Sequence, residues 1–169
     1  AEVREWIFEP GLPEFAVVPA SDAFETVDDY RQRWLEGEIE LADIPADQWT
    51  VSEWRHFLIG LAGELDVHRM AALDEAFGLT DSGNVEILYL WLARSIETRY
   101  QPGIERLERF LVEVGRNKFT APLYEQLAAT EWGREWAIDV YQRARSGYHP
   151  LTRQAAERAL GMGDVPGSD

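Results

Sequence analysis

Two cationic side chains, Arg116 and Lys118, have the residue types and the spacing best suited to binding an anion. Lys118 is the only lysine among the sixteen lysine and arginine residues of the chain. The formal net charge is -15, so two cations spaced two residues apart on a short link that is predicted to be non-helical are not expected to serve solubility. A guanidinium can hold a carboxylate through two parallel hydrogen bonds, and an ammonium adds a point charge beside it. We call this pair, Arg116 and Lys118, the carboxylate clamp.

The sequence around the clamp predicts a short link between two helices. Apolar residues recur at three- and four-residue steps over residues 103–114, which predicts an amphipathic helix. Gly115 is expected to end that helix in the left-handed backbone conformation. Thr120 is expected to cap the next helix, with Pro122 in its first turn. The clamp would then lie on an extended link, in which side chains two residues apart point to the same side.

Helix-end electrostatics offers a second interpretation of the same two cations. Positive side chains just past the C-terminus of a helix interact favourably with its macrodipole, by about 0.3 to 1 kcal/mol each. Spacing alone does not separate this structural role from carboxylate binding. Both interpretations therefore stay open at the level of the residues.

Helical patterns fill most of the chain. The predicted helices span about residues 22–36, 50–61, 66–78, 83–100, 103–114, 121–130, 132–146 and 150–160. Phe24 and Val67 are expected on buried faces of the first and third of these. No alternating strand pattern of useful length occurs. We therefore expect an all-α fold, an armadillo- or HEAT-like stack of about eight helices in antiparallel pairs, which is an α-α superhelix.

The chain divides into three segments by composition. Residues 1–20 contain three prolines and a glycine that interrupt regular structure, so they are expected to form an extended lead-in. Residues 21–160 form the helical domain, and residues 161–169 are expected to be a flexible tail. At 169 residues the chain can bury a substantial core, and its seven tryptophans contribute much apolar surface to it.

The net charge and the cysteine content argue against several classes of binding partner and of chemistry. The net charge of -15 argues against general affinity for nucleic acid or for an anionic membrane, because phosphate binding needs clustered cations. No apolar run is long enough to span a bilayer. The chain has no cysteine, which excludes disulfides and thiol catalysis and is compatible with the reducing cytoplasm, the location we expect.

No set of residues in the chain predicts a catalytic or metal site. Glu53 and His56 form one Glu-x-x-His turn, but a helical di-iron site needs a second copy and further carboxylates. His68 is expected at the surface, and His149 at the start of a helix before Pro150. His-Glu-x-x-His, Gly-x-Gly-x-x-Gly and Gly-x-Ser-x-Gly are all missing from the sequence. We therefore predict no catalytic residue, no metal ligand and no bound cofactor in this chain.

Several motifs, taken in order, carry a family resemblance. They are Trp6, residues 10–13 (PGLP), residues 115–123 (GRNKFTAPL), residues 127–129 (LAA), residues 141–142 (YQ) and residues 149–152 (HPLT). Together they resemble the C-terminal domain of leukotriene A4 hydrolase and its aminopeptidase relatives. The similarity runs from about Trp6 to Leu160.

The resemblance implies a helical domain that ends a zinc aminopeptidase. In such enzymes the zinc ligands and the glutamate base lie in a separate catalytic domain, and the C-terminal domain walls one side of the substrate cleft. The family's Gly-Arg-x-Lys-Phe pattern supplies an arginine and a lysine that bind the free carboxylate of the substrate, which implies this role for Arg116 and Lys118. The implied partners are the catalytic domain of the same parent chain, reached through the lead-in, and a peptide substrate. Alone, the chain would be inactive.

Two other functions compete with this one. The chain could be a free-standing helical-repeat module that binds a protein or peptide, since stacked helices commonly present a concave surface. A self-contained helical enzyme that uses scattered carboxylates is disfavoured, because the sequence offers no nucleophile, base and orienting group that belong together.

Overall fold

Residues 22–162 are described by the computed structural model of the chain, and over that range the predicted all-α fold is confirmed. The helices are α1 (Asp22–Leu35), α2 (Val51–Gly60), α3 (Val67–Phe77), α4 (Val85–Thr98), α5 (Gln101–Glu113), α6 (Asn117–Ala128), α7 (Gly133–Ala144) and α8 (Pro150–Leu160). No strand occurs among these residues. The expected lead-in over residues 1–20 and residues 163–169 of the expected tail lie outside the described range.

Short sequence signals set several helix boundaries where they were predicted. Thr50 and Glu53 form a reciprocal capping box at the start of α2, so two amides there gain partners. The Asp66 carboxylate accepts a hydrogen bond of 2.8 Å from the backbone amide of Arg69 and begins α3. Gly78 ends α3 with a φ of 62°, a conformation that costs glycine little because it has no Cβ atom.

Helix α4 is the central element of the domain. Its buried residues are Ile87, Leu88, Trp91, Leu92, Ala93, Ser95 and Ile96. Trp91 belongs to a core cluster formed mainly by residues between α1 and α4, whereas Leu92 belongs to a second cluster that extends through α8. A helix buried on two sides needs the nearly continuous apolar sequence seen here. Helix α4 therefore provides a fixed base for side chains at its N-terminal end.

A polar cluster ties α3 to the start of α5. The Asp74 carboxylate accepts hydrogen bonds from the Thr80 amide at 2.8 Å and from the Thr80 hydroxyl at 2.6 Å. Its second oxygen also accepts a bond of 2.9 Å from the Tyr100 hydroxyl, and Trp91 Nε1 donates to Thr80 Oγ1 at 2.9 Å. These bonds satisfy polar atoms beside the core and fix the turn before α4.

Two predictions of burial were wrong. Phe24 is 37% exposed and Val67 is 48% exposed. The Phe24 ring stacks on the His56 imidazole, with a centroid separation of 4.6 Å, instead of entering the core. Val67 is the first residue of α3, so no preceding helical turn packs over its side chain. No helix in the described part of the chain combines the length and the apolar character needed to span a membrane.

Candidate functional site

The clamp lies at the junction between α5 and α6, and the structure corrects its predicted geometry. The cap of α6 is Arg116 and not Thr120, so the helix begins at Asn117, and the extended link predicted for both cations is wrong for Lys118. Arg116 is the residue that precedes α6, with extended φ and ψ of -85° and 111°. Lys118 lies in the first turn of α6. The two side chains therefore project from a helix N-terminus.

Tertiary packing accounts for the earlier start of α6. Thr120 is fully buried inside the helix, and its hydroxyl donates a hydrogen bond of 3.3 Å to the Arg116 carbonyl, so it is not the cap. Pro122 lies inside the helix instead of in its first turn. A proline there removes one helical hydrogen bond, a cost that the buried neighbours of α6 offset. Local helix-start signals were thus overridden by burial.

Gly115 does not end α5 in the left-handed conformation, so that prediction was also wrong. Instead, a Cβ atom at this position would lie 3.4 Å from the Gly147 carbonyl oxygen, which is tight for a side-chain contact. The Gly115 carbonyl accepts a hydrogen bond of 3.0 Å from the Thr152 hydroxyl at the start of α8. The chain immediately before Arg116 is therefore held against the segment that leads into α8.

Both cations of the clamp lie over one aromatic ring. The Arg116 guanidinium carbon is 5.5 Å and the Lys118 ammonium 5.0 Å from the centroid of the Phe119 ring. Phe119 is only 1% exposed, and its ring also packs against Tyr89 with a centroid separation of 5.5 Å. Burial is the main reason that the pKa of Tyr89 is raised. A rigid ring therefore brings two exposed cations together through favourable cation–π contacts.

A carboxylate from another helix completes the cluster. Glu86 Oε1, in the first turn of α4, lies 2.5 Å from the Lys118 ammonium. Its Oε2 lies 3.9 Å from Nε of Arg55 on α2. The hydrogen bond from Lys118 is the largest influence on the pKa of Glu86, which is lowered, and the charges of Arg55 and Arg116 act in the same direction. Two cations, Lys118 and Arg55, thus contact one carboxylate, and the charge of Arg116 also acts on it.

Arg116 follows the end of α5 at Glu113, so the helix-end interpretation stays open for it, whereas Lys118 lies inside the next helix. Neither Arg116 nor Lys118 donates a side-chain hydrogen bond to a carbonyl of α5 within residues 22–162. Lys118 instead lies in the first turn of α6, where the macrodipole disfavours positive charge. No side chain caps the first amides of α6. The junction therefore presents positive side chains and free backbone amides at the same place, an arrangement suited to an anion.

The other residues weighed from the sequence have structural partners. His56 Nε2 lies 2.8 Å from Asp28 Oδ1, while Glu53 takes part in the capping box, so the Glu-x-x-His turn is used in packing. His68 is exposed, and His149 Nδ1 accepts a hydrogen bond of 3.3 Å from the backbone amide at the start of α8, both as predicted. Over residues 22–162, no group of three or more histidine, aspartate or glutamate side chains could hold a metal ion.

With this geometry described, comparison with known proteins identifies the family. The family model for the C-terminal domain of leukotriene A4 hydrolase matches residues 49–160, which is more than half of the chain. The chain belongs to this family. Its members' C-terminal domain is helical, in agreement with the fold above.

Curated relatives and solved structures agree with membership of the leukotriene A4 hydrolase C-terminal family. The chain is 27% identical over 162 residues to leucine aminopeptidase 2 of Neurospora crassa, covering 94% of this chain and 23% of that protein. It is 27% identical to human aminopeptidase RNPEPL1, covering 96% of this chain and 24% of that protein. A structure of yeast LTA4 hydrolase in complex with bestatin matches with a TM-score of 0.66 and 19% identity, over 95% of this chain and 29% of that one.

The coverage and the sequence identity limit what these comparisons say about the chain. The chain spans about a quarter of the length of the relatives that it matches. The similarity to the yeast structure, at 19% identity, shows the shared fold. Longer relatives of this kind are consistent with a domain that works beside another domain of one parent chain.

Sequence analysis missed two members of the charged cluster. Glu86 lies 32 positions before Lys118 and on a different helix, and Arg55 lies on a third helix. In the sequence, Glu86 stands at the start of an apolar run, where a carboxylate is common because the macrodipole favours it. Only the packing of α4 against α6 reveals that it faces the clamp. No local signal could have found it.

Proposed function

We propose that the chain is the non-catalytic, C-terminal helical domain of a zinc-dependent aminopeptidase that acts in the cytoplasm. In this proposal the domain walls one side of the substrate cleft, and Arg116 and Lys118 bind the free carboxylate of the peptide. The zinc is held by the catalytic domain of the parent chain. In this proposal the role of this domain is to bind and to orient the substrate.

One observation carries the proposal. Two exposed cations converge on the buried Phe119 ring at an uncapped helix N-terminus, in a chain whose net charge is -15. Mutual repulsion and the macrodipole of α6 both oppose this placement. The Glu86 carboxylate compensates the charge of Lys118, and a negatively charged ligand at the junction would compensate the remaining positive charge. The family membership of the chain and its aminopeptidase relatives make the carboxylate of a peptide the ligand that fits best.

The mechanism is one of positioning. Arg116 can form two parallel hydrogen bonds with a carboxylate, while Lys118 contributes a compact charge beside it. A peptide held at its carboxylate by the clamp and at its amino end by the catalytic domain has its scissile bond fixed between them. Binding energy gained at the clamp can then lower the barrier at the distant reaction centre. The chain alone, in this proposal, hydrolyses no peptide.

The test compares two substrates in the full-length protein that contains this chain. We expect Arg116→Ala to lower kcat/KM on a tripeptide by roughly 10- to 100-fold, since a hydrogen bond to a charged group contributes about 1.5 to 3 kcal/mol. Activity on an uncharged aminoacyl amide should change little, because that substrate has no carboxylate. Arg109→Ala is the matched control, since Arg109 is exposed on α5 and takes part in no ion pair of the described range.

Equal activity of Arg116→Ala and wild type on both substrates would contradict the proposal. Arg116 and Lys118 would then have only an electrostatic role at the helix junction. Equal loss on both substrates would likewise contradict it, because a carboxylate clamp cannot act on a substrate that has no carboxylate. The proposed selectivity, and not the size of the loss, is therefore the decisive measurement.

A further inference from the structure

The carboxylate clamp has a flexible member and a rigid neighbour. Lys118 has a side chain that is 57% exposed, and four rotatable bonds leave its ammonium free to take many positions. Glu86 is 26% exposed and projects from the first turn of α4, the most extensively buried helix of the domain. The ammonium lies 2.5 Å from Glu86 Oε1 and 5.0 Å from the centroid of the Phe119 ring. Two fixed groups therefore define where a mobile charge sits.

We infer that Glu86 is a positioning residue for peptide binding, which holds the Lys118 ammonium beside Arg116 so that both cations address one carboxylate. The inference rests on the proposed function of the clamp. An ammonium has three N–H donors, and the bond to Glu86 uses one of them. The others remain for a substrate carboxylate. Without Glu86, Lys118 would keep its charge but lose its fixed place.

The start of α4 holds the backbone of Glu86 in place. The backbone amide of Glu86 donates a hydrogen bond of 3.0 Å to the side-chain oxygen of Asn84, which caps α4. A carboxylate in a first helical turn is favoured by the macrodipole. Nε of Arg55 lies 3.9 Å from Oε2 of Glu86, whereas Lys118 binds Oε1. The bond to Asn84 fixes the backbone from which Glu86 projects, and Arg55 provides a second cation for its carboxylate.

Glu86 could instead compete with the substrate, since it is itself a carboxylate bound to Lys118. The two roles predict opposite signs. A competitor, once removed, would leave Lys118 free and the site more positive, so peptides with a free carboxylate would bind more tightly. A positioning residue, once removed, would leave the same peptides bound more weakly. The number of donors on the ammonium and the restrained geometry of Glu86 favour positioning.

The experiment measures KM and kcat of the full-length protein on a tripeptide and on an uncharged aminoacyl amide. For Glu86→Ala we expect KM for the tripeptide to rise by roughly three- to fivefold, the range of a partly exposed ion pair. Both parameters on the amide should stay unchanged. Glu86→Asp keeps the charge but moves it by one methylene, which displaces the Lys118 ammonium from its place beside Arg116, so it should resemble the alanine variant. Glu86→Gln keeps the length and an acceptor oxygen, so it should lie between wild type and Glu86→Ala.

A double variant links the effect to Lys118. In the Lys118→Ala background, Glu86→Ala should raise KM for the tripeptide no further, because its effect passes through the ammonium. Glu75→Ala is the matched control, since Glu75 is exposed on α3 and forms no ion pair in the described range. A lower KM for the tripeptide in Glu86→Ala would overturn the inference in favour of competition. Equal changes on both substrates would overturn it in favour of a purely structural role.

The same data separate failure of the inference from failure of the proposed function. If Arg116→Ala and Lys118→Ala lose activity selectively on the tripeptide while Glu86→Ala does not, the clamp stands and the inference fails. If neither cation variant is selective, the clamp itself is wrong and the inference falls with it. Selective loss in Arg116→Ala but not in Lys118→Ala also overturns the inference, because Glu86 would then hold a residue that does not bind substrate.

Discussion

Gly103 lies directly against Ser95 where α4 and α5 cross, and a Cβ atom on Gly103 would lie 2.0 Å from the Ser95 hydroxyl oxygen. Ser95 is fully buried, and its hydroxyl donates a hydrogen bond of 3.0 Å to the Trp91 carbonyl, so it has little room to move. The absence of a side chain at Gly103 thus sets the distance between the two helices. Helix α4 carries Glu86 and α5 leads to the clamp, so this contact helps to position both.

We expect Gly103→Ala to destabilise the chain. Overpacking costs about 1 to 3 kcal/mol, and the higher helix propensity of alanine offsets about 1 kcal/mol of that. The separation of only 2.0 Å from a buried oxygen places the cost in the upper part of that range, about 2 to 3 kcal/mol, so the free energy of unfolding in urea should fall by about 1 to 2 kcal/mol. Gly83→Ala is the control, since nothing lies within 4 Å of a Cβ atom at Gly83, and it should change stability by less than about 0.5 kcal/mol. An equal effect of the two substitutions would contradict the packing argument.

The elements of the fold could be predicted from sequence because local signals agree with burial in most of the chain. The capping box at Thr50 and the left-handed Gly78 mark helix ends through their own backbone chemistry, and the structure retains both. Gly103 shows what local signals leave out. The periodicity predicts a helix that begins at Gly103, but it does not show that Gly103 lies against Ser95, where a Cβ atom would not fit. Such a role depends on a contact between two helices, so it cannot be predicted from the residues that neighbour Gly103 in the sequence.

The candidate site was predictable only in part for the same reason. Arg116 and Lys118 could be singled out by type and spacing, whereas the true start of α6 depended on burial of Thr120. Glu86 faces the clamp only because α4 packs against α6. A local sequence window contains the two cations but not the anion that holds one of them. Charge clusters built from several helices therefore require the tertiary structure.

Four buried tyrosines, Tyr100, Tyr124, Tyr141 and Tyr148, should resist ionisation in alkaline solution. Burial, followed by a hydrogen bond to Asp74, raises the pKa of Tyr100 to about 12, and burial with a hydrogen bond to Glu157 does the same for Tyr141. Burial also raises the pKa values of Tyr124 and Tyr148. A raised folded-state pKa means that these groups contribute stability below their unfolded pKa near 10, and that this contribution is lost as pH rises toward the folded value.

Ultraviolet absorbance of the phenolate and far-ultraviolet circular dichroism, recorded on the same samples, test this expectation. Most of the phenolate absorbance should develop only above about pH 10, together with loss of helical signal. Urea-unfolded chain provides the control, because its tyrosines should titrate near the ordinary value. Substantial phenolate absorbance near pH 10 with an unchanged helical signal would show that these hydroxyls are accessible and would contradict the burial argument.

The Phe119 ring should contribute to substrate binding through the two cations that lie over it. Phe119→Leu keeps an apolar side chain in the core but removes the π face that attracts Arg116 and Lys118, at about 0.5 to 1 kcal/mol for each exposed cation. We expect KM for a tripeptide to rise by roughly three- to tenfold in the full-length protein, with little change on an aminoacyl amide.

Phe110→Leu is the control for lost core packing, since Phe110 is equally buried at 1% exposure but lies on α5 and contacts neither cation. Phe110→Leu should change activity on the tripeptide and on the amide equally. If Phe119→Leu changed both substrates to the same extent as Phe110→Leu, the ring would be a core residue only, and the convergence of the cations would have to come from Glu86 and the backbone of α6.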